Sequence, residues 1–307
     1  MTRPTRENPA GRAYLDLQNR ARRERRGTQE LLTLYVVERW LARLSRSNRA
    51  DDFILKGGML LAAYGRRRPT VDADALARNM KGDESIVAAR VAEIAGLADP
   101  DDGVEFLPHT VTTRLIRDDS LYAGVRVTME AKISTASVKL RLDINFGDPV
   151  TPDPRVIELS ALRPGVEPVR VLGYPIETVL AEKLTTAVTL GPANTRIRDY
   201  IDIYTLTTTW ELERKAVRQA LVATAAFRGT ILRPLSEVVS NLVGLRSGAY
   251  VAYRLNLGQH GVHLPGEFSE VVETVVAFGD PVLVEWPAVG RWDPTLRVWS
   301  KGTRSRP

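Results

Sequence analysis

Phe53-Ile54-Leu55-Lys56-Gly57-Gly58 and, a short way on, Thr70-Val71-Asp72-Ala73-Asp74-Ala75 are the stretches that decide how this chain is read. The first opens with a short apolar run of strand type and breaks at a glycine pair, which reads as a tight turn. Met59 to Tyr64 then reads as a helical segment that stops at Gly65. After the basic turn Arg66-Arg67-Arg68-Pro69, residues 70 to 75 alternate polar and apolar, so a strand is predicted with Asp72 and Asp74 on one face. Residues 121 to 146 read as two strands around Ser134-Thr135-Ala136. In the second of these, Val138, Leu140, Leu142, Ile144 and Phe146 face one way and Lys139, Arg141, Asp143 and Asn145 the other. Asp143 is therefore expected on a polar strand face, within reach of the Asp72 and Asp74 face.

Working outward, the first dozen residues carry two prolines and a glycine and read as mobile. From Thr28 an amphipathic helix is predicted, with Leu31, Leu32, Tyr35, Val36, Trp40 and Leu44 at helical spacing. Residues 84 to 97 read as another helix. Gly147 to Pro168 is rich in prolines and turn residues and reads as a boundary. Beyond it, helices are expected over 177–190, 197–206, 211–227, 235–242 and 268–278. The organisation predicted is α+β: a sheet-containing domain over residues 1–150 and a mainly helical one over 151–307.

The 307 residues are 44% hydrophobic and include no cysteine, which excludes disulfides and thiolate metal sites. No apolar run approaches the roughly 20 residues that span a bilayer, and no apolar signal core follows the arginine-rich start; a soluble, cytoplasmic protein is expected. The formal charge of +6 is unevenly placed: residues 1–50 hold twelve arginines against five acids, leaving the rest of the chain close to neutral. Arg20, Arg22, Arg23, Arg25 and Arg26 form one cluster, and Arg291, Arg297, Lys301, Arg304 and Arg306 a smaller one at the other end. Clusters of this kind suit a phosphate backbone, through counterion release, as well as they suit a merely solvated surface.

Two aspartates at i and i+2 on a strand place their carboxylates about two rises apart on one face, and hard divalent cations bind carboxylate oxygens. A third carboxylate, Asp143, completes a cradle for the two magnesium ions that phosphoryl-transfer chemistry employs to neutralise charge on attacking and leaving oxygens. The glycine turn at a helix start exposes backbone amides and admits close approach of phosphates, for which Lys56, Gly57 and Gly58 are the candidates. Either piece alone is weak, since most glycine pairs are only turns and most Asp-x-Asp pairs are solvated. The order strand, Gly-Gly, helix, basic turn, Asp-x-Asp strand is far more specific, and it points to nucleotidyl transfer.

Leu55-Lys56-Gly57-Gly58, Thr70-Val71-Asp72-Ala73-Asp74, Leu142-Asp143-Ile144-Asn145-Phe146-Gly147-Asp148, Tyr174-Pro175-Ile176-Glu177-Thr178-Val179-Leu180-Ala181-Glu182-Lys183-Leu184 and Asn194-Thr195-Arg196-Ile197-Arg198-Asp199-Tyr200-Ile201-Asp202 together resemble, in order and approximate spacing, the AbiEii/AbiGii nucleotidyltransferase-like toxins. The resemblance covers about residues 50 to 206. It implies a polymerase β-like nucleotidyltransferase domain and a mostly helical C-terminal lobe that completes the active-site cleft. It further implies a toxin of a type IV toxin–antitoxin pair with a cognate antitoxin, a nucleoside triphosphate donor, magnesium, and RNA as acceptor, with the tRNA 3′ end as target so that aminoacylation and translation are blocked. Carried over position by position, Asp72 and Asp74 hold the metals with Asp143, Gly57 and Gly58 meet the phosphates, and Lys183 pairs with the triphosphate. Asp199 and Asp202 complete the polar site; their i, i+3 spacing puts both on one helical face without saying which points inward.

Two features depart from the wider pattern. Gly-Gly replaces the commoner Gly-Ser, which removes a hydroxyl and leaves phosphate contacts to backbone amides. Thirteen residues separate Gly58 from Asp72, slightly more than is usual. Thr70 lies two residues before Asp72 on the same expected face, near the triphosphate; a phosphate there would add nearly two negative charges, a route by which an antitoxin could silence the enzyme. A Thr70→Glu variant that kept full toxicity would exclude it. His260 and His263 are two potential ligands in a glycine-rich loop, too few for a metal site. Competing readings are a small-molecule nucleotidyltransferase, which needs no basic ends, and a catalytically silent protein that binds nucleic acid or antitoxin.

Overall fold

A computed structural model of the chain describes residues 3–65, 73–78, 80, 83–118, 122–284 and 289–300. They form a mixed α/β structure in two compact units, residues 1–147 with 155–173, and residues 148–154 with 174–307.

The first unit is built on α1 (Pro9–Glu24), α2 (Thr28–Arg46), β1 (Phe53–Lys56), α3 (Gly57–Ala63), β2 (Ala73–Ala77), α4 (Glu84–Ala95), β3 (Glu105–Asp118), β4 (Tyr122–Ile133), β5 (Ala136–Phe146), β6 (Arg155–Leu159) and β7 (Val169–Gly173). The strands make one mixed sheet in the order β3-β4-β5-β2-β1-β7-β6. β2 runs parallel to β5 and antiparallel to β1, and β1 runs parallel to β7. Alternation along the strands sorts the side chains: Val125, Val127, Met129 and Ala131 of β4 and Val138, Leu140, Leu142 and Ile144 of β5 are buried. The next residues along each strand are polar.

α1 was not expected. Its apolar stripe is only Ala13, Leu17 and Ala21, hidden among arginines, but Asn8 caps it by accepting a hydrogen bond from Gly11 N at 2.7 Å, and Pro9 pre-sets its first turn. The arginine surplus of residues 1–50 is largely tied within this unit. Arg43 pairs with buried Asp102 at 2.5 Å, Arg39 with Glu38 at 2.7 Å, Arg26 with Glu30 at 2.6 Å, and Arg20 donates to Leu162 O at 2.6 Å. Arg22, Arg23 and Arg25 stay exposed at the end of α1.

The segment 147–168, read as a boundary because of its prolines, contains β6, and β7 follows it; both join the sheet edge next to β1. Gly173 is the register partner of Leu55, and a Cβ on it would lie 2.5 Å from Ile157 Cγ1 and 2.8 Å from Leu60 Cδ1. Gly173→Ala should overpack this edge and cost about 1–3 kcal/mol, measured as a lowered urea midpoint with unchanged slope. A fully stable variant would mean that the strand edge yields freely.

The second unit holds α5 (Ile176–Leu190), α6 (Ile197–Thr207), β8 (Leu212–Glu213), α7 (Arg214–Arg228), α8 (Leu235–Val238), α9 (Leu242–Leu257), α10 (Phe268–Leu283), β9 (Arg291–Asp293) and β10 (Val298–Trp299). The helix expected over 235–242 is instead the single turn α8, and the longer α9 had gone unread because its glycines and outward apolar residues blur the 3.6 period. Trp292 anchors the core: its ring meets Phe278 edge-on at 5.1 Å, and its indole donates to Thr207 O at 2.7 Å. The C-terminal basic cluster is partly neutralised here, with Arg291 on Glu213 at 2.6 Å and Arg297 on Glu270 at 3.1 Å; Lys301, Arg304 and Arg306 lie outside the described residues. None of the described helices is long and apolar enough to cross a membrane.

Candidate active site

At the end of β1 the backbone must reverse into α3, and Gly57 does so at φ +66°, a left-handed conformation that L side chains adopt only at a cost. A Cβ on Gly57 would lie 1.8 Å from Asp74 Oδ2 and 2.6 Å from Asp74 Cγ. The glycine is thus required twice, by its torsion and by the carboxylate laid against its Cα.

The sheet register brings the polar residues of five strands into one transverse row. Lys56 pairs with Asp74, Asp74 with Asp143, Asp143 with Arg126, and Arg126 with Arg114. Register partners present side chains to the same face, so Asp74 and Asp143 stand side by side on adjacent parallel strands; alternation gave the face of each, and strand order makes them neighbours. Asp143 is buried and held by Arg126 through two charge-assisted bonds, Nε to Oδ1 at 2.7 Å and Nη2 to Oδ2 at 2.6 Å. Arg126 went unremarked in the sequence; only the β4–β5 register reveals it.

Two carboxylates on neighbouring strands, one of them against a glycine with no side chain to crowd it, are a donor set that fits a hard divalent cation. At Asp143 the Arg126 guanidinium already supplies the compensating positive charge. Among the described residues there is no cluster of three or more His, Asp or Glu placed to hold a metal. Asp72 and Thr70, both expected here, lie outside the described residues, as does the basic turn at 66–68. Gly58 is buried as the second residue of α3.

The second unit assembles its own ionic cluster. Lys183 on α5 reaches Asp199 Oδ1 at 2.6 Å and Asp202 Oδ2 at 2.8 Å, both on α6, and Arg196 Nε donates to Asp199 Oδ2 at 2.8 Å. Both aspartates face Lys183, so the i, i+3 spacing does put the two carboxylates on one side of α6. The side chains of Lys183, Asp199 and Asp202 are only 14%, 7% and 6% exposed, so the lysine is no solvated surface residue. Burial by itself would raise the Asp199 carboxyl, but the charges of Lys183 and Arg196 beside it outweigh that and hold it below the ordinary carboxylate range. Asn194 Oδ1 accepts from Arg196 N at 2.8 Å and sets the entry to α6. On the adjoining face of α5, Glu182 lies 3.5 Å from Arg228, which also approaches Asp148 at 3.4 Å. Asp148 closes the Asp143 motif, yet its partner Arg228 lies eighty residues away on α7 and carried no sequence signal.

A mixed sheet with a glycine turn laid on one of two side-by-side aspartates, together with a separate lysine–aspartate cluster, fits the nucleotidyltransferase class. The chain belongs to the AbiEii family: the family model described as nucleotidyl transferase AbiEii toxin, type IV TA system, matches residues 39–271. Membership implies nucleotidyl transfer, a nucleotide substrate and a cognate antitoxin. Searched against curated proteins, the chain has no match. Among solved structures it is similar to JHP933 from Helicobacter pylori (17% identity over 80% of this chain and 88% of that one, TM-score 0.46). It is also similar to a putative nucleotidyltransferase from H. pylori (17% identity over 84% and 94%, TM-score 0.44).

Proposed function

We propose that this protein is a polymerase β-like transferase, with a helical C-terminal lobe, that moves a nucleotidyl group from a nucleoside triphosphate to RNA at the tRNA 3′ acceptor end, so that aminoacylation and translation stop. The observation that carries the proposal is the contact of Asp74 with Gly57 in register with Asp143, which combines a carboxylate pair and a glycine turn at one place on the sheet. In the reaction an RNA hydroxyl oxygen forms a bond to the α-phosphorus and gives up its proton to solvent, while the bond to the bridging oxygen of the pyrophosphate breaks, its electron pair leaving with pyrophosphate. Magnesium, when bound, supplies positive charge to the attacking and leaving oxygens. Asp74, with Asp72 and Asp143, would hold the metal, Arg126 staying beside Asp143 as a further positive charge. The backbone at Gly57 and Gly58, with Lys56, binds the phosphates.

Lys183 serves the same reaction as a phosphate-binding cation. Asp199 and Asp202 hold its ammonium charged and orient it, which is how a flexible lysine becomes a directed donor. The site acts in the cytoplasm, where nucleoside triphosphates and tRNA are both at hand.

The test is incubation of the protein with magnesium, each labelled nucleoside triphosphate in turn, and total RNA. Label on tRNA is expected. Asp74→Asn, which preserves shape against Gly57, should leave the melting temperature near wild type and cut transfer about a thousandfold, the effect of several kcal/mol of lost charge stabilisation in the transition state. Label on no RNA would overturn the acceptor, and undiminished transfer by Asp74→Asn would overturn the site.

A further inference from the structure

The face of β3, β4 and β5 that carries Asp143 is strongly basic, and we propose that it is the track along which the acceptor RNA strand reaches the site. The inference rests on the RNA acceptor proposed above and adds where on the chain that RNA lies.

The register defines the track. Walking back along β5 from Asp143 in two-residue steps of about 6.7 Å, the same face presents Arg141, Lys139 and Ser137. Ser137 is the register partner of Lys132 on β4, and Arg126, beside Asp143, is the partner of Arg114 on β3. Five cations therefore share this face of β3–β5 with three acids, Glu105 opposite Lys132, Glu130 and Asp143. Arg114, Lys132 and Lys139 are exposed, whereas the alternate residues of β4 and β5 are buried and apolar. Among the described residues no acid forms an ion pair with Arg114, Lys132 or Arg141, and the Lys139–Glu130 pair is long, at 3.6 Å, and solvated.

Arg114 and Arg126 are like charges directly opposite one another on paired strands, a placement that destabilises a sheet; Asp143 compensates Arg126, but among the described residues no acid pairs with Arg114. An extended anion relieves that repulsion. The hydroxyls of Thr112 and Thr128, 2.7 Å apart in the next pair along β3 and β4, add neutral hydrogen-bonding groups beside the two arginines, as a sugar–phosphate backbone requires. The row also ends at the carboxylates, so a strand bound along it delivers its end to Asp143 and Asp74. The exposed arginines of α1, by contrast, sit on a helix whose remaining basic residues, Arg12 and Arg20, are tied to acids and carbonyls.

The test is RNA binding by fluorescence anisotropy across a salt series, on the full chain with Asp74→Asn to prevent turnover. The probe is a labelled single-stranded RNA ending in a 3′ hydroxyl. Arg114→Gln/Lys132→Gln/Lys139→Gln should weaken binding about tenfold or more near 0.15 M salt, and should lower the slope of log K against log salt by about 2, at roughly 0.7 per lost phosphate contact on a single strand. Affinity for the nucleoside triphosphate should be unchanged, and Arg22→Gln/Arg23→Gln should bind RNA like the parent. Parent-like binding by the triple variant, a loss confined to the α1 variant, or lost triphosphate affinity with RNA binding intact would each overturn the track. A parent protein that binds no RNA at all would remove the acceptor reading and the track with it.

Discussion

Lys183→Met should be the most damaging single substitution in the second unit, lowering stability by about 3–5 kcal/mol and abolishing transfer. Asp199 and Asp202 are both buried, and the lysine lies 2.6 and 2.8 Å from them. Removing this cation leaves two like charges close together in a poorly solvated place with Arg196 bonded to Asp199 alone, the situation in which breaking a buried pair costs far more than the pair contributes. The pH dependence of stability reverses in the variant. In the wild type the Asp199 carboxyl titrates below its ordinary value, so its contribution is present at neutral pH and disappears as acidification carries the group through its folded pKa. In Lys183→Met the carboxylates lose their main stabilising charge, so protonation relieves repulsion and the variant should gain stability as pH falls through the carboxylate range. Urea melts between pH 4 and 8 read both slopes. A variant whose stability falls on acidification as steeply as the wild type would refute the coupling. Asp202→Asn should relieve part of the Lys183→Met defect when combined with it, because the surviving carboxylate no longer faces a second one.

Gly57→Ala should have the next largest effect, losing about 2–3 kcal/mol and at least a hundredfold in transfer. The left-handed torsion at Gly57 alone costs an alanine about 1–2 kcal/mol. The rest comes from the methyl, which would stand 1.8 Å from Asp74 Oδ2, so that the turn or the carboxylate must move. A displacement of about an ångström is enough to cost a catalytic group two orders of magnitude. The two contributions separate in a cycle with Asp74→Ala. The double variant still pays the torsion but has lost the colliding atoms, so its stability loss should be smaller than the sum of the singles. Full additivity would mean that the glycine serves the backbone alone.

Much of this was legible in the chain. The apolar run Phe53–Leu55, the glycine pair and the strict alternation through Lys139, Arg141, Asp143 and Asn145 are local signals, and β1, the Gly57 turn and the polar face of β5 follow from them. α1 and α9 were not legible. α1 does carry a one-sided apolar stripe, but it is made of Ala13, Leu17 and Ala21 between clusters of arginines, and α9 leaves Leu245, Val251 and Leu255 exposed, so its apolar residues do not mark a single face. β6 and β7 were obscured by prolines that look like a linker. They sit at the sheet edge, where β6 has only one paired neighbour, and that is where proline-rich surroundings are tolerated.

The basic ends are the clearest case of a misleading total. A surplus of seven positive charges in the first fifty residues suggested a phosphate surface, but Arg20, Arg26, Arg39 and Arg43 are bound to acids and carbonyls within their own unit. Composition counts charges without their partners, so it drew attention away from β3–β5, whose cations are spread among apolar residues in the sequence.

What the sequence by itself determined is the set of chemical groups and the face each occupies, because a strand's two-residue period and a glycine's torsional freedom are local properties. Tertiary structure alone decided their neighbours: that Asp74 lies on Gly57, that Asp143 is clasped by Arg126, and that Asp199 and Asp202 both hold Lys183. Those pairings depend on strand order, register and helix packing between segments far apart in the chain, and no local spacing encodes them.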